Sequence, residues 1–363
     1  MNFLGELPMY PDDRLLKLRQ RAALLGLLLA LLTGLAFRPL QAQTVSKVGT
    51  SAASFLKIGV GGRALGMGEA FTTQADDITA IFWNPAGLAT FRNTQILLNH
   101  YDYIADLSFD YGAIATAIPA IGTVGVHVCF LGMPDIERTT VQEPDGTGEM
   151  VTASSMTAGV SYARNLTDRF AIGGTAKYIQ EKLWHCSASG YALDVGVLYR
   201  TFFKNIMIGM SISNFGTNLQ LKGRDLLIQH DIDERSDGNN ANINGYLASD
   251  AYSLPILFRV GVSSNLTRDF LNIRNTDFII SVDAVHPSDN YEYLNVGAEY
   301  QYRNLIALRA GYRQLYLENS EGGLTFGFGL HLDVKSFNFR VDYAAVDFGH
   351  LDRLNKFSLI LSF

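Results

Sequence analysis

From residue 93 to the C-terminus, apolar and polar side chains alternate in runs of about ten residues, the period of a β-strand with two unlike faces. Fourteen such runs can be laid down, at about 93–104, 108–119, 122–133, 151–165, 170–183, 189–200, 205–215, 255–264, 277–287, 293–303, 304–314, 324–334, 336–348 and 354–363. In the sixth, Tyr191, Leu193, Val195, Val197 and Tyr199 oppose Asp194, Gly196 and Arg200. In the eleventh, Ile306, Leu308, Ala310 and Tyr312 oppose Arg309, Gly311 and Arg313. The final run places Phe357, Leu359, Leu361 and the terminal Phe363 on one face. An alternating last strand that stops on an aromatic is how an outer-membrane barrel closes, and these four residues are the expected barrel-assembly signal, read by a barrel-assembly machinery.

The connections separate a barrel in lipid from a sheet in water. If both barrel ends lie in the periplasm, the turns on that side are mostly short: 120–121, 165–169, 201–204 and 303–304. The opposite side takes the long, Asp-, Asn- and Gly-rich loops 134–150 and 216–254. That asymmetry belongs to outer-membrane barrels. Two connections break the pattern: 265–276 is long for the periplasmic side, and 105–107 is short for the outer side. An open sheet edge in hydrocarbon would leave N–H and C=O groups unpaired at several kcal/mol each, so the sheet has to close. The fold class is therefore all-β, a transmembrane antiparallel barrel of about 14 strands.

Composition adds an address. Arg14, Lys17, Arg19 and Arg21 precede an apolar run from Ala22 to Phe37, and Ala42 suits the residue before a cleavage site. Residues 1–42 read as a signal peptide, 43–92 as a separate segment and 93–363 as the barrel. Without residues 1–42 the chain keeps 24 basic and 32 acidic residues, a net charge of −8, which excludes a nucleic-acid partner. Cys129 and Cys186 are the only cysteines and form no disulfide framework.

The segment before the barrel is glycine-rich. Gly59, Gly61, Gly62, Gly66 and Gly68 surround Arg63, Ala64 and Phe71; Ala75-Asp76-Asp77 follows, and then Trp83-Asn84-Pro85-Ala86-Gly87-Leu88. A phosphate-binding loop would need a βαβ context that is not visible here. A plug threaded past the barrel wall explains the glycines better, because backbone must pass close to backbone. This combination resembles the PorV/PorQ family of outer-membrane proteins, which is itself similar to FadL-type long-chain fatty-acid transporters. The resemblance implies a fourteen-stranded barrel with an N-terminal hatch inside the lumen. It assigns Gly61 to Phe71 to an entrance element and Asn84, Pro85, Ala86 and Gly87 to the hatch. It transfers no ligand-contacting residue.

The barrel's inward faces carry charges of both signs: Lys177, Asp194, Arg259, Asp283, Glu299, Arg309, Arg313, Arg340 and Asp342. Arg259 with Asp283, and Glu299 with Arg309, are expected to pair across adjacent strands. As possible lumen or ligand residues, Arg309 and Arg313 are best placed to anchor a carboxylate. The acidic loop 216–254 fails the ligand order of an EF-hand and reads as a solvated outer loop able to bind a partner. The seven histidines have no metal-ligand spacing, and no nucleophile elbow is present, so neither a metal, a cofactor nor an enzyme activity is expected.

Two functions follow from the resemblance. PorV/PorQ implies a non-enzymatic type IX secretion component, exported to the outer membrane, that binds or delivers secreted cargo alongside other components of that system. FadL implies a passive channel for uptake of hydrophobic small molecules. Both embed the barrel in outer-membrane lipid.

Overall fold

The computed structural model describes residues 48–232, 235, 242–318, 320–349 and 353–363. The signal peptide at 1–42, the first residues of the 43–92 segment and the loop carboxylates Asp233, Glu234 and Asp237 lie outside the described residues.

Fourteen antiparallel strands form one closed sheet: β1 Thr94–Asp102, β2 Ser108–Ile118, β3 Gly122–Gly132, β4 Ala153–Thr167, β5 Phe170–Leu183, β6 Cys186–Arg200, β7 Met207–Gly216, β8 Leu257–Asn265, β9 Thr276–Pro287, β10 Tyr293–Tyr302, β11 Ile306–Leu315, β12 Leu324–Val334, β13 Phe337–Asp347 and β14 Arg353–Ser362. Each strand pairs with the next, and β14 returns to β1 in register from Gln95↔Ser362 to His100↔Phe357. Thr94 and Phe363 exchange backbone bonds at 3.1 and 3.0 Å, so the last residue seals the cylinder.

Burial is inverted relative to a water-soluble sheet. On β6, Leu193 and Val195 are 54% and 57% exposed, while Asp194 between them is 3% exposed. Phe326 and Phe328 on β12, like Phe357 on β14, also point outward. An apolar outer face over a polar inner one is what lipid selects. Among the described residues no helix is long and apolar enough to cross a membrane; the strands do the crossing.

The strands agree with the alternation to within a few residues, with two physical departures. β6 begins at Cys186 rather than 189, so the strand takes in Cys186. The ladders of β4, β5 and β6 run 14 or 15 residues, beyond the roughly 9–11 that span a bilayer, and carry on past the apolar band. The connection 266–275 contains a π-helical turn, Thr267–Leu271, which accounts for its length. Among the short elements of the long outer loop, Leu227–His230 pairs with Ile243–Tyr246.

Residues 54–90 form no strand. They make the 3₁₀ turns Ser54–Lys57 and Pro85–Thr90 and two short helices, α1 Gly62–Gly66 and α2 Ala80–Trp83. Val60, Leu65, Met67, Phe71, Ile78, Trp83 and Leu88 of this stretch are fully or almost fully buried.

Candidate functional site

The inner face of the wall is where the N-terminal segment meets the barrel, and chemistry concentrates there. Close approach comes first. Gly68 adopts φ +62°, and a Cβ there would stand 2.7 Å from Tyr312 N and 2.9 Å from Val296 O. Across the gap, a Cβ on Gly311 would be 2.3 Å from Gly68 N. Gly66 lies against Gly327, Gly62 against the Asp342 backbone and Gly87 against the Ala75 carbonyl. Only hydrogen in place of a side chain permits this packing. Gly61, at φ +85°, precedes α1, whose Ala64 is fully buried.

Hydrogen bonds and ion pairs then join the segment to β1 and to β4 through β14. Tyr101 Oη donates to Gly59 O, Asn165 Nδ2 to Ala89 O, and Ser211 Oγ to Trp83 O. Ala53 N donates to Glu181, Gln74 Nε2 to Ser263 and Thr72 N to Asp283 Oδ2. Thr325 Oγ1 donates to Gly66 O, and Gly62 N donates to Ser358. Asn84 works on both sides. Its Nδ2 donates to Thr72 O at 2.9 Å and to Val197 O of β6 at 3.1 Å, while its Oδ1 accepts from Ala86 N at 3.2 Å and opens the turn that Pro85 begins. Phe71 packs edge-on to Trp83, with Arg63 over its ring.

An ion network forms the centre. Arg63 donates from Nε to Glu299 Oε2 at 2.9 Å and from Nη2 to Oε1 at 2.8 Å, and its Nη1 reaches Asp76 and Asp77. Glu299 also accepts from Arg309 Nε at 2.6 Å, and Arg309 Nη1 donates to Asp342 at 2.7 Å. Arg340 joins Asp342 to Asp77. Burial alone would depress the Arg63 guanidinium, but Asp76 and Glu299 hold it above its ordinary range. Burial alone would raise the Asp77 carboxyl, but Arg340 and Arg63 hold it below its ordinary range.

The expected pair Glu299–Arg309 sits in direct register and is bonded. Arg259–Asp283 is corrected: the register opposes Arg259 to Val285 and Asp283 to Gly261, and no salt bridge joins the two. Arg259 instead donates to Ser213 and lies over the Trp83 ring at 5.4 Å, while Asp283 accepts from Thr72. Arg309 is taken up by Glu299 and Asp342, and Arg313 by Glu69 at 3.1 Å and the Phe348 ring at 4.2 Å. Phe357, Leu359 and Leu361 form the outward face of β14, with Phe363 exposed just beyond it, away from this network.

Sequence reasoning missed three participants. Arg63 and Asp77 stood out only as parts of a motif, with no hint of their partners on the wall. Lys356, 1% exposed, faces inward beneath the Tyr101 ring at 4.3 Å; its place between Asn355 and Phe357 in an alternating strand was the available signal.

A family model described as Type IX secretion system protein PorV matches residues 41–222. The chain belongs to the PorV family. The match takes in the glycine-rich segment, its bonded partners on β1 and β4 to β6, and β7. No curated protein matches the sequence. Among solved structures, the toluene transporter TodX of Pseudomonas putida is 12% identical, with 84% of this chain and 96% of that one covered and a TM-score of 0.51. The CymD monoaromatic hydrocarbon channel is 13% identical, with the same coverages and TM-score. At such identities the likeness is one of fold: this PorV-family chain is an outer-membrane β-barrel built like TodX and CymD.

Proposed function

We infer that this PorV-family barrel is a non-enzymatic component of type IX secretion, that residues 43–92 act as its plug, and that cargo or partner domains engage the rim and outer loops. The family match supports the secretion role. The observation that carries the plug is the packing of residues 54–90 on the inner wall. Between Phe55, Leu56, Ile58, Ile81 and Phe82 on one side and the faces of β2 to β6 on the other remains a cavity of about 20 Å³. That is room for a water molecule. That cavity is too small for a polypeptide, and the long loops 133–152 and 217–256, rich in Asp, Asn and Gly, are the surfaces to which this reading assigns recognition.

The test is a deletion strain of the source bacterium complemented with the wild-type protein or with a variant whose loop 217–256 is replaced by a short turn. Surface attachment of secreted proteins is expected to fail in the deletion and in the loop variant while the variant barrel still assembles. Unchanged attachment together with reduced uptake of a hydrophobic compound would overturn the secretion reading in favour of a channel.

A further inference from the structure

The turn from β8 to β9, residues 266–275, is longer than any other at its end of the barrel. After the π-helical turn it reverses at Asn272 and Asn275, with φ +57° and +66°, a left-handed backbone that asparagine tolerates. The neighbouring turn 303–305 is left-handed at Arg303 and Asn304, and Arg303 N donates to Asn275 O at 2.9 Å. Between the two turns is an open recess of about 850 Å³ lined by Arg268, Arg274, Arg303 and the amides of Asn272 and Asn304.

Asp277 is the only carboxylate in the lining, and it already accepts from Arg268 at 2.7 Å and from Asn265 at 2.6 Å. Among the described residues neither Arg274 nor Arg303 makes a salt bridge. Three arginines thus share the lining with one carboxylate, the Arg303 guanidinium lying 5.3 Å over the Tyr302 ring.

Position identifies the occupant. Tyr300, Tyr302 and Ile306 are exposed on the outer wall next to the recess, and Leu271 and Ile273 are exposed on the turn itself. A band of exposed apolar residues ending in tyrosines marks where hydrocarbon gives way to headgroups. The arginines stand at that level. Charge is polarised in the same sense: the turns at this end hold Arg169, Lys204, Arg268, Arg274, Arg303 and Lys335 against Asp168 and Asp269, whereas among the described residues the loops at the other end hold 13 acidic and 4 basic residues.

We propose that this recess binds the phosphate headgroup of an anionic glycerophospholipid in the periplasmic leaflet. Arg274 and Arg303 grip the phosphate oxygens in the two-point geometry that guanidinium offers. Leu271 and Ile273 meet the upper acyl chains. Free phosphate would satisfy the arginines but leave the apolar pair idle; an acidic protein segment would not require the headgroup level.

The experiment is native mass spectrometry of the purified, delipidated barrel titrated with phosphatidylglycerol. The wild type is compared with Arg268→Gln/Arg274→Gln/Arg303→Gln and with Arg169→Gln/Lys204→Gln, which removes cations from the same end outside the recess. Heat-shifted gel mobility checks that each variant is folded. The recess variant is expected to need at least about tenfold more lipid for the same occupancy, since each basic residue near a membrane surface contributes about fivefold. The control variant is expected to match the wild type. Equal losses in both variants would overturn the site, because bulk charge would then suffice. Displacement of the lipid by millimolar inorganic phosphate, or recess-dependent capture of an acidic peptide with no lipid preference, would overturn the lipid assignment.

Discussion

Arg63 and Glu299 meet through two parallel bonds, Nε to Oε2 at 2.9 Å and Nη2 to Oε1 at 2.8 Å, although 236 residues separate them. The pair ties α1 to β10, and Arg309 on β11 braces the same carboxylate. Buried ion pairs are costly to halve, at about 3–5 kcal/mol, because the survivor is left charged in a poorly solvated place. Arg63→Met and Glu299→Leu are each expected to lower unfolding stability by about that amount, and the double variant by much less than the sum. Urea titration followed by gel mobility measures this; single losses under about 1 kcal/mol would show that the pair does not fasten the segment.

Gly68 and Gly311 let two backbones touch. A methyl at Gly68 meets the Tyr312 amide at 2.7 Å and must also hold φ +62°, which costs an L-residue about 1–2 kcal/mol before any clash is counted. Gly68→Ala is expected to loosen the segment and expose the Arg63–Ala64 bond to trypsin, a bond expected to be protected in the wild type, where Arg63 and Ala64 are buried. Gly112→Ala, with nothing within 4 Å of the added methyl, is the matched control. Equal protection of Gly68→Ala and the control would remove close packing as the reason for the glycines.

The Asp77 carboxyl lies below the usual aspartate value of 3.8: burial pushes it up, and Arg340 and Arg63 more than reverse this. A depressed carboxylate contributes stability above its unfolded value and loses it as pH falls through the folded one. Protease protection of residues 54–90 is therefore expected to hold steady from pH 8 to about 5 and to weaken below about 4. Asp77→Asn is expected to be weaker at neutral pH and to lose that part of the acid dependence. A wild-type transition already complete at pH 6 would point to another group.

The barrel was legible because lipid enforces a rule on every second residue. Leu193 and Val195 had to be apolar and Asp194 had to turn away, so the strand could be read without its neighbours. Where that demand stops, reading fails: Ser187 and Ser189 continue β6 above the apolar band, and β6 starts earlier than the alternation shows. Within the wall, Glu299 and Arg309 sit ten residues apart around a tight turn and could be paired from the chain itself. Arg259 and Asp283 could not. The π-helical turn between their strands sets a register that puts Gly261 opposite Asp283. No periodicity links Arg63 to Glu299 or Asp77 to Arg340, because only the tertiary fold of residues 54–90 joins them.

Lys356 supplies the sharpest test of whether the inner wall is tuned for stability. Its ammonium lies over the rings of Tyr101 at 4.3 Å and of Tyr103 and Phe348 at 5.7 Å, and among the described residues it makes no salt bridge. Such cation–ring contacts return about 0.5–2 kcal/mol, whereas burying an ammonium without a carboxylate costs several. Lys356→Met keeps the length and the ring contacts while removing the charge, so it is expected to be at least as stable as the wild type by urea titration. Lys356→Ala leaves a gap beside Tyr101 and is expected to lose about 2 kcal/mol or more, as large-to-small changes in packed sites do. If the methionine variant proves markedly less stable, the lysine charge is held by a partner that the packing of β1 and β14 does not reveal. If it is equally stable but secretion or uptake falls, the charge is kept for function.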